Sequence, residues 1–427
     1  MKPFRTFSIL MALLALALPL TAVAEERLPP ATESLDELVA FSLANNPELR
    51  SSQARWQMYA GRIRQAGSLD DPMLMLKIQN GILSDPLNFG KDPMTQKVIG
   101  ISQQIPFWGK RALREEIASH EAAAFRWQLE ERKLELARMV KESWYQLYMT
   151  DRALEIVARN IRIMDDFITL AQTKYSVGQG VQQDIFRAQV ERSKMLEMQI
   201  TLRQQRKSQQ AVLNTLAGRP ADTPVGAIPD FAVSPVKETA QELQTAAEEH
   251  RPQLRQTQAL IEKGKAGHRL AQKEFYPDVN LSFELMQRNP TMNDEGLNMY
   301  SLGVTFNLPV IRERREAMLA ESSAETGMAT AELAAVRNAI NSGIVDLLAQ
   351  LDRRRQLIDL YKTGIIPQAQ QSLESSTIAY RVGKVDLLTL MESRITLFNY
   401  EREYYDSLAD YQMRRAQLEA LVGTELH

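Results

Sequence analysis

Hydrophobic positions recur every seven residues along two long stretches of the chain. The first stretch predicts a coiled-coil helix over residues 110–174, and the second predicts another over residues 312–380. The heptad positions of the first are Leu147, Leu154, Ile161, Ile168 and Tyr175, with Val157, Met164 and Ala171 at the other core position. Those of the second are Ile344, Leu351, Ile358 and Ile365.

The first long helix carries a second apolar stripe, formed by Met149, Ile156, Ile163 and Leu170. On a helical wheel this stripe lies well over ~100° from the first. A helix with two such stripes has a neighbour on each side, which favours a curved wall of helices; an ordinary helical bundle is the alternative. At 1.5 Å per residue, about 65 residues make a helix of roughly 100 Å.

Four segments alternate apolar and polar residues with the period of a β-strand: 72–82, 97–106, 278–288 and 299–309. About nine to eleven alternating residues are the length of a tilted outer-membrane strand, although a soluble, half-buried sheet gives the same pattern. Phe107 and Trp108 follow the second strand, and Phe275 and Tyr276 precede the third. These aromatic residues share one level, as in a membrane girdle. Four strands cannot close a barrel alone, so the pattern predicts an oligomer.

The chain repeats itself at an offset of 205 residues (380 − 175), as in YSVGQG at 175–180 and YRVGKV at 380–385. The repeat predicts two copies, 25–218 and 238–427, joined by a Pro-rich linker at 219–237. Each copy contains a first helix, two strands, a long helix, a glycine-containing tip and a last helix. The first helices are predicted at 35–67 and 238–275, and the last at 181–217 and 385–422. Glycines 178, 180 and 383 are expected to permit turn geometry that is closed to other residues.

Residues 1–24 have the features of a cleaved secretory signal peptide: Lys2 and Arg5, then an apolar run, then Ala22-Val23-Ala24. The chain is therefore expected to be exported. No later stretch approaches ~20 apolar residues, so no transmembrane helix is predicted. The chain has no cysteine, which excludes disulfides and a thiol nucleophile. A formal net charge of −2 gives no indication of a nucleic-acid partner.

No catalytic site, cofactor or metal site is predicted. None of the four histidines has ligand spacing to another, and no nucleophile–base pair is evident. An exported helical enzyme is therefore disfavoured. Methionines cluster on the strands and their connections, at Met73, Met75, Met286, Met292 and Met299. Thioethers suit copper or silver ions, but methionine more commonly fills gaps in cores.

From residue 35 to 424 the sequence resembles the TolC-like outer-membrane efflux family. The resemblance rests on NPEL and RPQL at the start of each copy, on ISQQIPFWGKR (101–111) and VTFNLPVIRER (304–314), and on the two tips. It implies a homotrimer with a 12-stranded β-barrel in outer-membrane lipid and a helical barrel below it. It also implies partners: a periplasmic adaptor (membrane fusion protein) and an inner-membrane pump, RND-type by this resemblance. YRVGKVDLLTL is most similar to the heavy-metal efflux branch.

The resemblance assigns roles to residues near the tips. Adaptor or pump contact falls on Val177, Gly178, Gln179, Gly180, Val382, Gly383 and Lys384. A narrow periplasmic aperture falls on Asp184, where copy two departs from the family with Thr389, and Asp386 or Glu392 could serve instead. A structural role for Asp386, an acid favoured at a helix N-terminus, is an equal alternative. Rings of such acids attract cations.

The function predicted is an exit duct that passes substrate from the pump and adaptor to the exterior, with metal ions as one option for the cargo. A type I secretion duct is one alternative. A periplasmic coiled-coil adaptor is another, but it would carry one hairpin beside a lipoyl-like β domain, whereas here the hairpin is duplicated. The predicted location is the outer membrane of a Gram-negative bacterium, with the helices in the periplasm.

Overall fold

The computed structural model describes residues 34–292 and 294–426, so the predicted signal peptide lies outside the described residues. The helices are α1 Leu35–Asn45, α2 Pro47–Gly67, α3 Lys110–Ser176, α4 Gln182–Leu216, α5 Ala240–His250, α6 Pro252–Lys273, α7 Arg312–Leu360, α8 Ile366–Arg381 and α9 Leu387–Val422. The strands are β1 Met73–Gln79, β2 Gln96–Ile105, β3 Val279–Arg288 and β4 Met299–Phe306. No helix in this part of the chain is long and apolar enough to cross a membrane.

The prediction of one continuous first helix in each copy is wrong. Two helices stand in its place, α1 and α2 in copy one and α5 and α6 in copy two, separated at Asn46 and Arg251. Both residues precede a proline, and both have extended backbone, with ψ angles of 125° and 116°. The proline ring disfavours helical geometry in the preceding residue, so the chain turns there. Asn46 then caps α2 by accepting from the backbone N–H groups of Glu48 and Leu49.

The second long helix is also interrupted, by a π-helical turn at Tyr361–Ile365 between α7 and α8. Pro367 follows this turn and has no N–H to donate to the carbonyl four residues earlier. The N–H of Ile366 bonds to the carbonyl of Tyr361 instead, which widens the turn by one residue. The long helix of copy one has no proline and runs unbroken for 67 residues, roughly 100 Å.

The four strands form one antiparallel sheet in the order β1-β2-β3-β4. β1 and β4 end three residues earlier than predicted. β1 stops before Asn80, which has a left-handed φ of 54°, and β4 stops before Asn307, whose side chain bonds to the backbone of Asp278. β2 and β3 keep the predicted lengths within one residue.

The hydrophobic core follows the long helices. α3 packs against α4 on one side and α9 on the other, with α2 and α6 farther along its length. This agrees with the two apolar stripes predicted for this helix. Val157, Met164 and Ala171 are fully buried, whereas Leu154, Ile161 and Ile168 are half-buried. The linker lies across the middle of these helices, where the hydroxyl of Tyr148 donates to Asp230 at 2.8 Å and that of Tyr411 donates to the carbonyl of Ser234 at 2.8 Å.

Candidate functional site: the paired helical tips

Both long helices end in the same hydrogen-bonded turn. At the first tip the N–H of Gly178 donates to the carbonyl of Tyr175 at 3.0 Å, and the N–H of Gln179 donates to that of Lys174 at 2.8 Å. At the second tip the N–H of Gly383 donates to Tyr380 at 3.1 Å, and the N–H of Lys384 donates to Ala379 at 2.9 Å. This pair of bonds defines a Schellman motif, which satisfies the last carbonyls of a helix.

The motif needs a left-handed residue after the helix, and Gly178 and Gly383 supply it with φ angles of 70° and 75°. An added Cβ at either glycine would meet no atom within 4 Å. Backbone conformation alone therefore explains these two glycines. The same expectation is wrong for Gly180, whose φ is not in the left-handed region. A Cβ at Gly180 would lie 3.1 Å from the Cβ of Lys174 and 3.3 Å from the backbone N of Tyr175. Close packing against α3 therefore explains the glycine at this position.

The two turns present exposed side chains at one end of the molecule. Val177, Gln179, Val382 and Lys384 are all exposed. The two valines occupy equivalent positions immediately before the left-handed glycines. Each tip thus exposes one apolar side chain beside a polar or basic one.

The tips pack against each other within one chain. The ammonium group of Lys174 donates to the carbonyl of Tyr380 at 2.6 Å and stands 4.6 Å from the centre of its ring. Tyr380 is only 4% exposed, whereas its repeat equivalent, Tyr175, is 48% exposed. The apolar cluster beneath them includes Met164, Phe167, Ala171, Ala188, Leu387, Leu390 and Met391. The two copies are therefore alike in backbone and different in surroundings.

Two of the three predicted aperture acids come together at the starts of α4 and α9. Burial raises the pKa of the Asp184 carboxyl, nearby Arg187 opposes the shift, and Asp386 adds to it. Asp386 is the N-cap of α9: its carboxylate accepts from the backbone N–H of Thr389 at 3.0 Å and from its hydroxyl at 2.7 Å. These bonds hold the pKa of Asp386 below its usual range. Asp386 therefore has the structural role considered for it, that of an acid at a helix N-terminus.

Glu392, the third predicted acid, lies one turn into α9 and is exposed. It borders a groove of about 440 Å³ between the first turns of α4 and α9. Phe186, Val190 and Leu388 line the same groove and are exposed. The structure therefore places Glu392 beside an apolar surface, in a lining whose basic residue is Arg187.

Behind the tips lies a buried polar layer that sequence reasoning missed. Arg394 of α9 is buried against α3 and donates to the side-chain oxygen of Asn160 at 2.7 Å. Glu401 lies 3.9 Å from Arg394 and 2.9 Å from Arg159. Burial lowers the pKa of the Arg394 guanidinium, and Glu401 opposes the shift. Neither spacing nor composition points to this layer, because Asn160 and Arg394 are 234 residues apart.

The predicted interface aromatic residues lie at the opposite end of the helices, where the sheet begins. Phe107 and Tyr276 stack, with ring centres 4.6 Å apart and an angle of 9° between the planes. Trp108 is 90% exposed, and Phe275 is half-buried. The structure thus brings residues from before β3 and after β2 to one level.

A second missed feature, a buried lysine, joins the sheet to the helices. Lys110, the first residue of α3, is 1% exposed. Its ammonium group donates to Asp278 at 2.8 Å, to Glu274 at 3.1 Å and to the carbonyl of Tyr276 at 3.1 Å. All three ammonium protons have an acceptor, which offsets the cost of removing the charge from water. In the sequence, Lys110 resembles an ordinary first-turn surface residue.

In the described residues, no group of three or more His, Asp or Glu side chains could hold a metal ion. The candidate site is therefore a surface formed by the two helical turns and by the acidic residues at the starts of α4 and α9.

Comparison with known proteins agrees with this architecture. The sequence model of the outer membrane efflux protein family matches residues 38–219 and 243–424, one match in each copy. The pyoverdine export outer membrane protein OpmQ of Pseudomonas aeruginosa is 23% identical over 405 residues, covering 91% of this chain and 83% of OpmQ. The cobalt-zinc-cadmium resistance protein CzcC of Cupriavidus metallidurans is 23% identical over 175 residues, 41% of each chain.

Among solved structures, the outer membrane protein VceC of Vibrio cholerae superposes with a TM-score of 0.78. The superposition covers 92% of this chain and 97% of VceC at 19% identity. At this identity the likeness establishes the fold, which is the TolC-like channel fold. With the family matching both copies, the chain belongs to the outer membrane efflux protein family.

Proposed function

We propose that this protein is the outer-membrane exit duct of a tripartite efflux system. The observation that carries the proposal is the four-stranded sheet, which exposes a continuous apolar face at one end of long coiled-coil helices. One row across the sheet is Leu74, Ile101, Phe283 and Leu302, and the next is Leu76, Ile99, Leu285 and Tyr300. All eight side chains are exposed in the single chain. An apolar band of this kind fits lipid on its outer side.

The edges of the sheet support assembly into a ring. β1 and β4 are edge strands, and open edges are not tolerated in the hydrocarbon core. Three copies of the four-stranded sheet close a barrel of twelve strands. Two copies would close eight, which is too narrow a ring for a hollow wall of helices. We therefore infer a homotrimer.

The helices support the same ring. Within one chain α3 packs against α9. The 205-residue repeat relates α3 to α7–α8 and α4 to α9. The equivalent contact in the ring is therefore between α8 of one chain and α4 of the neighbouring chain. The faces that would meet carry exposed Phe186 and Val190 on α4 and exposed Ile378 on α8. The exposed Tyr175 would then be covered as Tyr380 is covered within the chain.

The tips support docking of a periplasmic adaptor, through which the inner-membrane pump delivers its cargo. Three chains with two tips each present six equivalent turns, built on Val177, Gly178, Gln179, Gly180, Val382, Gly383 and Lys384. Asp184, with Asp386 and Glu392 beside it, would line the narrow aperture that these tips surround. Three copies of each acid would form rings that favour cations.

The same arrangement supports the predicted location. Trp108, with Phe107, Tyr276 and Phe275, would mark the inner interface of the outer membrane. The helices would extend from there through the periplasm. OpmQ is named for pyoverdine export and CzcC for cobalt, zinc and cadmium resistance, so relatives of one fold differ in cargo. An RND-type pump that exports metal ions is one candidate partner.

Electron microscopy of the protein extracted in detergent from an outer-membrane fraction tests the proposal. The expected particle has three-fold symmetry and a hollow tube of roughly 100 Å below a detergent belt. A monomer that stays in the soluble periplasmic fraction without detergent would overturn the duct. In that case lipid would not cover the apolar face of the sheet.

A further inference from the structure

The sheet and its two connections hold six of the 18 methionines in the chain: Met73, Met75, Met94, Met286, Met292 and Met299. Methionine in a protein usually fills gaps in a core. The helical Met164, Met195 and Met391 do so and are buried. The sheet methionines are different, because five of the six are exposed and only Met286 is half-buried. Gap filling therefore does not account for them.

The strand methionines share one face of the sheet. Side chains alternate along a strand, so Met73 and Met75 point away from the apolar face that carries Leu74 and Leu76. Met286 and Met299 are direct partners in the β3–β4 ladder. Met286 also shares a row with Lys77, which lies on the face of Met73 and Met75. Val98 lies between Lys77 and Met286 in that row and is buried. The rest of this face, the interior of the proposed barrel, is polar, with Ser102, Ser282 and a Lys77–Glu284 ion pair at 3.6 Å.

Met286 and Met299 are close enough for both sulfur atoms to reach one ion. Directly opposed residues in an antiparallel pair have Cβ atoms about 5 Å apart. Both side chains stand on the same side of the sheet, and each has three rotatable bonds with which to adjust. Two thioethers can therefore approach one point above the strands.

Met75 lies in the neighbouring row and crosses onto β2. Its Cε stands 2.9 Å from the position that a Cβ on Gly100 would occupy, and the Cγ of Glu284 stands 3.2 Å from the same point. The absence of a side chain at Gly100 makes room for this crossing. Met75 thus extends toward β3, which carries Met286 one row farther along.

The methionines follow the sheet from end to end. Met73 is the first residue of β1, next to the helices, and Met94 and Met292 lie in the connections at the far end. In a closed ring β4 of one chain would lie beside β1 of the neighbouring chain. Met299 of the first chain would then lie near Met73 and Met75 of the second. The interior would then carry a band of thioethers along the direction of transport.

The chemistry of the face selects one class of ion. Thioethers are neutral, soft ligands that suit Cu(I) and Ag(I), whereas hard divalent ions take carboxylate oxygens. The carboxylate of Glu284 is already paired with Lys77. A pair of neutral ligands binds weakly, and several weak sites in series favour passage over storage.

We propose that the methionine-bearing face of the sheet binds soft monovalent metal ions, Cu(I) or Ag(I), as cargo passing through the duct. The proposal rests on the proposed function, because that face becomes an interior only in the closed ring. It names a cargo class for the membrane end of the duct.

Oxidation footprinting of the detergent-purified protein tests the sites one by one. Low hydrogen peroxide converts accessible methionine to sulfoxide, and mass spectrometry reads each position with and without silver nitrate in chloride-free buffer. We expect Ag(I) to slow oxidation of Met75, Met286 and Met299 by about fivefold or more. The exposed helical Met58 and Met328 are the internal controls and should keep their rates. Equal protection of all exposed methionines, or equal protection by zinc nitrate, would overturn the proposal.

A variant series tests the same ligands by bound metal. The triple variant Met75→Leu, Met286→Leu, Met299→Leu keeps apolar volume and removes three sulfur atoms. It should lose most of the Ag(I) retained per chain after equilibrium dialysis, measured by mass spectrometry of the metal. The double variant Met58→Leu, Met328→Leu should retain the wild-type amount.

Microscopy of the same samples separates the two hypotheses. If the triple variant forms the three-fold particle and still binds the wild-type amount of Ag(I), the metal-binding proposal is wrong and the duct proposal stands. If the wild-type protein forms no ring, the duct proposal is wrong, and the metal-binding proposal fails with it because the sheet then has no interior face.

Discussion

At the scale of single residues, the tips depend on backbone geometry and on one helix cap. Gly178 and Gly383 are left-handed with open space around them. Glycine is favoured at these positions because the left-handed conformation raises the free energy of residues that carry a Cβ. Asp386 holds the first turn of α9 through two bonds to Thr389. These contacts are local, so single substitutions should act locally.

Gly383→Ala should loosen the second tip. A side chain in the left-handed region costs about 1 kcal/mol, which raises local opening roughly fivefold. Hydrogen exchange of the peptide containing Lys384, read by mass spectrometry, should accelerate accordingly. Gly61→Ala is the matched control, because Gly61 also has no atom within 4 Å of an added Cβ but lies inside α2. It should stabilise its helix by about 1 kcal/mol. The same response at both glycines would contradict the conformational explanation.

The cap at Asp386 should depend on pH. Its pKa is lowered by the N–H of Thr389, so the carboxylate stabilises the turn fully above the ordinary aspartate pKa of about 3.9. That contribution is lost as the pH falls through the lowered value. Exchange of the Thr389 amide should therefore accelerate only in acid. Asp386→Asn should keep the bond without this pH response, and Asp386→Ala should exchange fast throughout. If exchange of the Thr389 amide in Asp386→Asn accelerates in acid as much as in the wild type, a group other than Asp386 causes the pH dependence.

At the scale of elements, the connection between sheet and helices depends on one buried charge. Lys110 begins α3, Glu274 follows α6, and Asp278 precedes β3. Asp278 also accepts from the backbone N–H of Phe107 at 2.8 Å. The lysine thus joins elements that lie about 165 residues apart in the chain.

Lys110→Met should destabilise this junction strongly. The substitution leaves Asp278 without its ion-pair partner and leaves Glu274 with Arg114 alone, at 3.9 Å. Breaking a buried pair costs roughly 3 kcal/mol or more. Thermal unfolding in detergent, followed by circular dichroism, measures the loss. Adding Asp278→Asn should recover part of it, with a coupling of about 1 kcal/mol or more in the double-mutant cycle. The control is Lys133, whose side chain is 42% exposed and pairs with Glu130 within α3. Its replacement by Met should change stability by less than about 1 kcal/mol. Equal losses at the two lysines would refute the role assigned to Lys110.

At the scale of the whole molecule, apolar surface remains uncovered on the sheet and on the outer helices. The sheet residues form continuous rows. The helices α4 and α8 lie at the two edges of the helical layer and carry the exposed Phe186 and Ile378. The inferred ring covers both kinds of surface, the first with lipid and the second with neighbouring copies.

Phe186→Asn and Ile378→Asn should each weaken the trimer. Each removes an apolar contact of roughly 2 kcal/mol per copy, so dissociation on dilution should begin at concentrations at least about tenfold higher. Mass photometry in detergent gives the distribution of oligomers. Leu83→Asn, in the exposed β1–β2 connection, is the control and should assemble as wild type does. Dissociation in all three variants would point to general instability.

Much of this protein could be predicted from short-range pattern. The heptads specify long helices because apolar side chains seven residues apart share a face, and the alternation specifies strands for the same reason with a period of two. Residue type predicted the left-handed Gly178 and Gly383 correctly, but it predicted the same for Gly180, which is not left-handed. Proline broke the predicted first helices because its ring restricts the preceding residue, a local rule that periodicity does not include.

Only the tertiary structure decided what depends on distant partners. Lys110 with Asp278, and Arg394 with Asn160, lie far apart in the chain, so no local pattern marks them. Likewise the sequence makes Tyr175 and Tyr380 equivalent, and packing buries one and exposes the other. Periodicity determines which face of an element is apolar, because that depends on neighbours in the chain. Which charge is buried, and which of two equal tyrosines is covered, depends on contacts that exist only after the elements have packed.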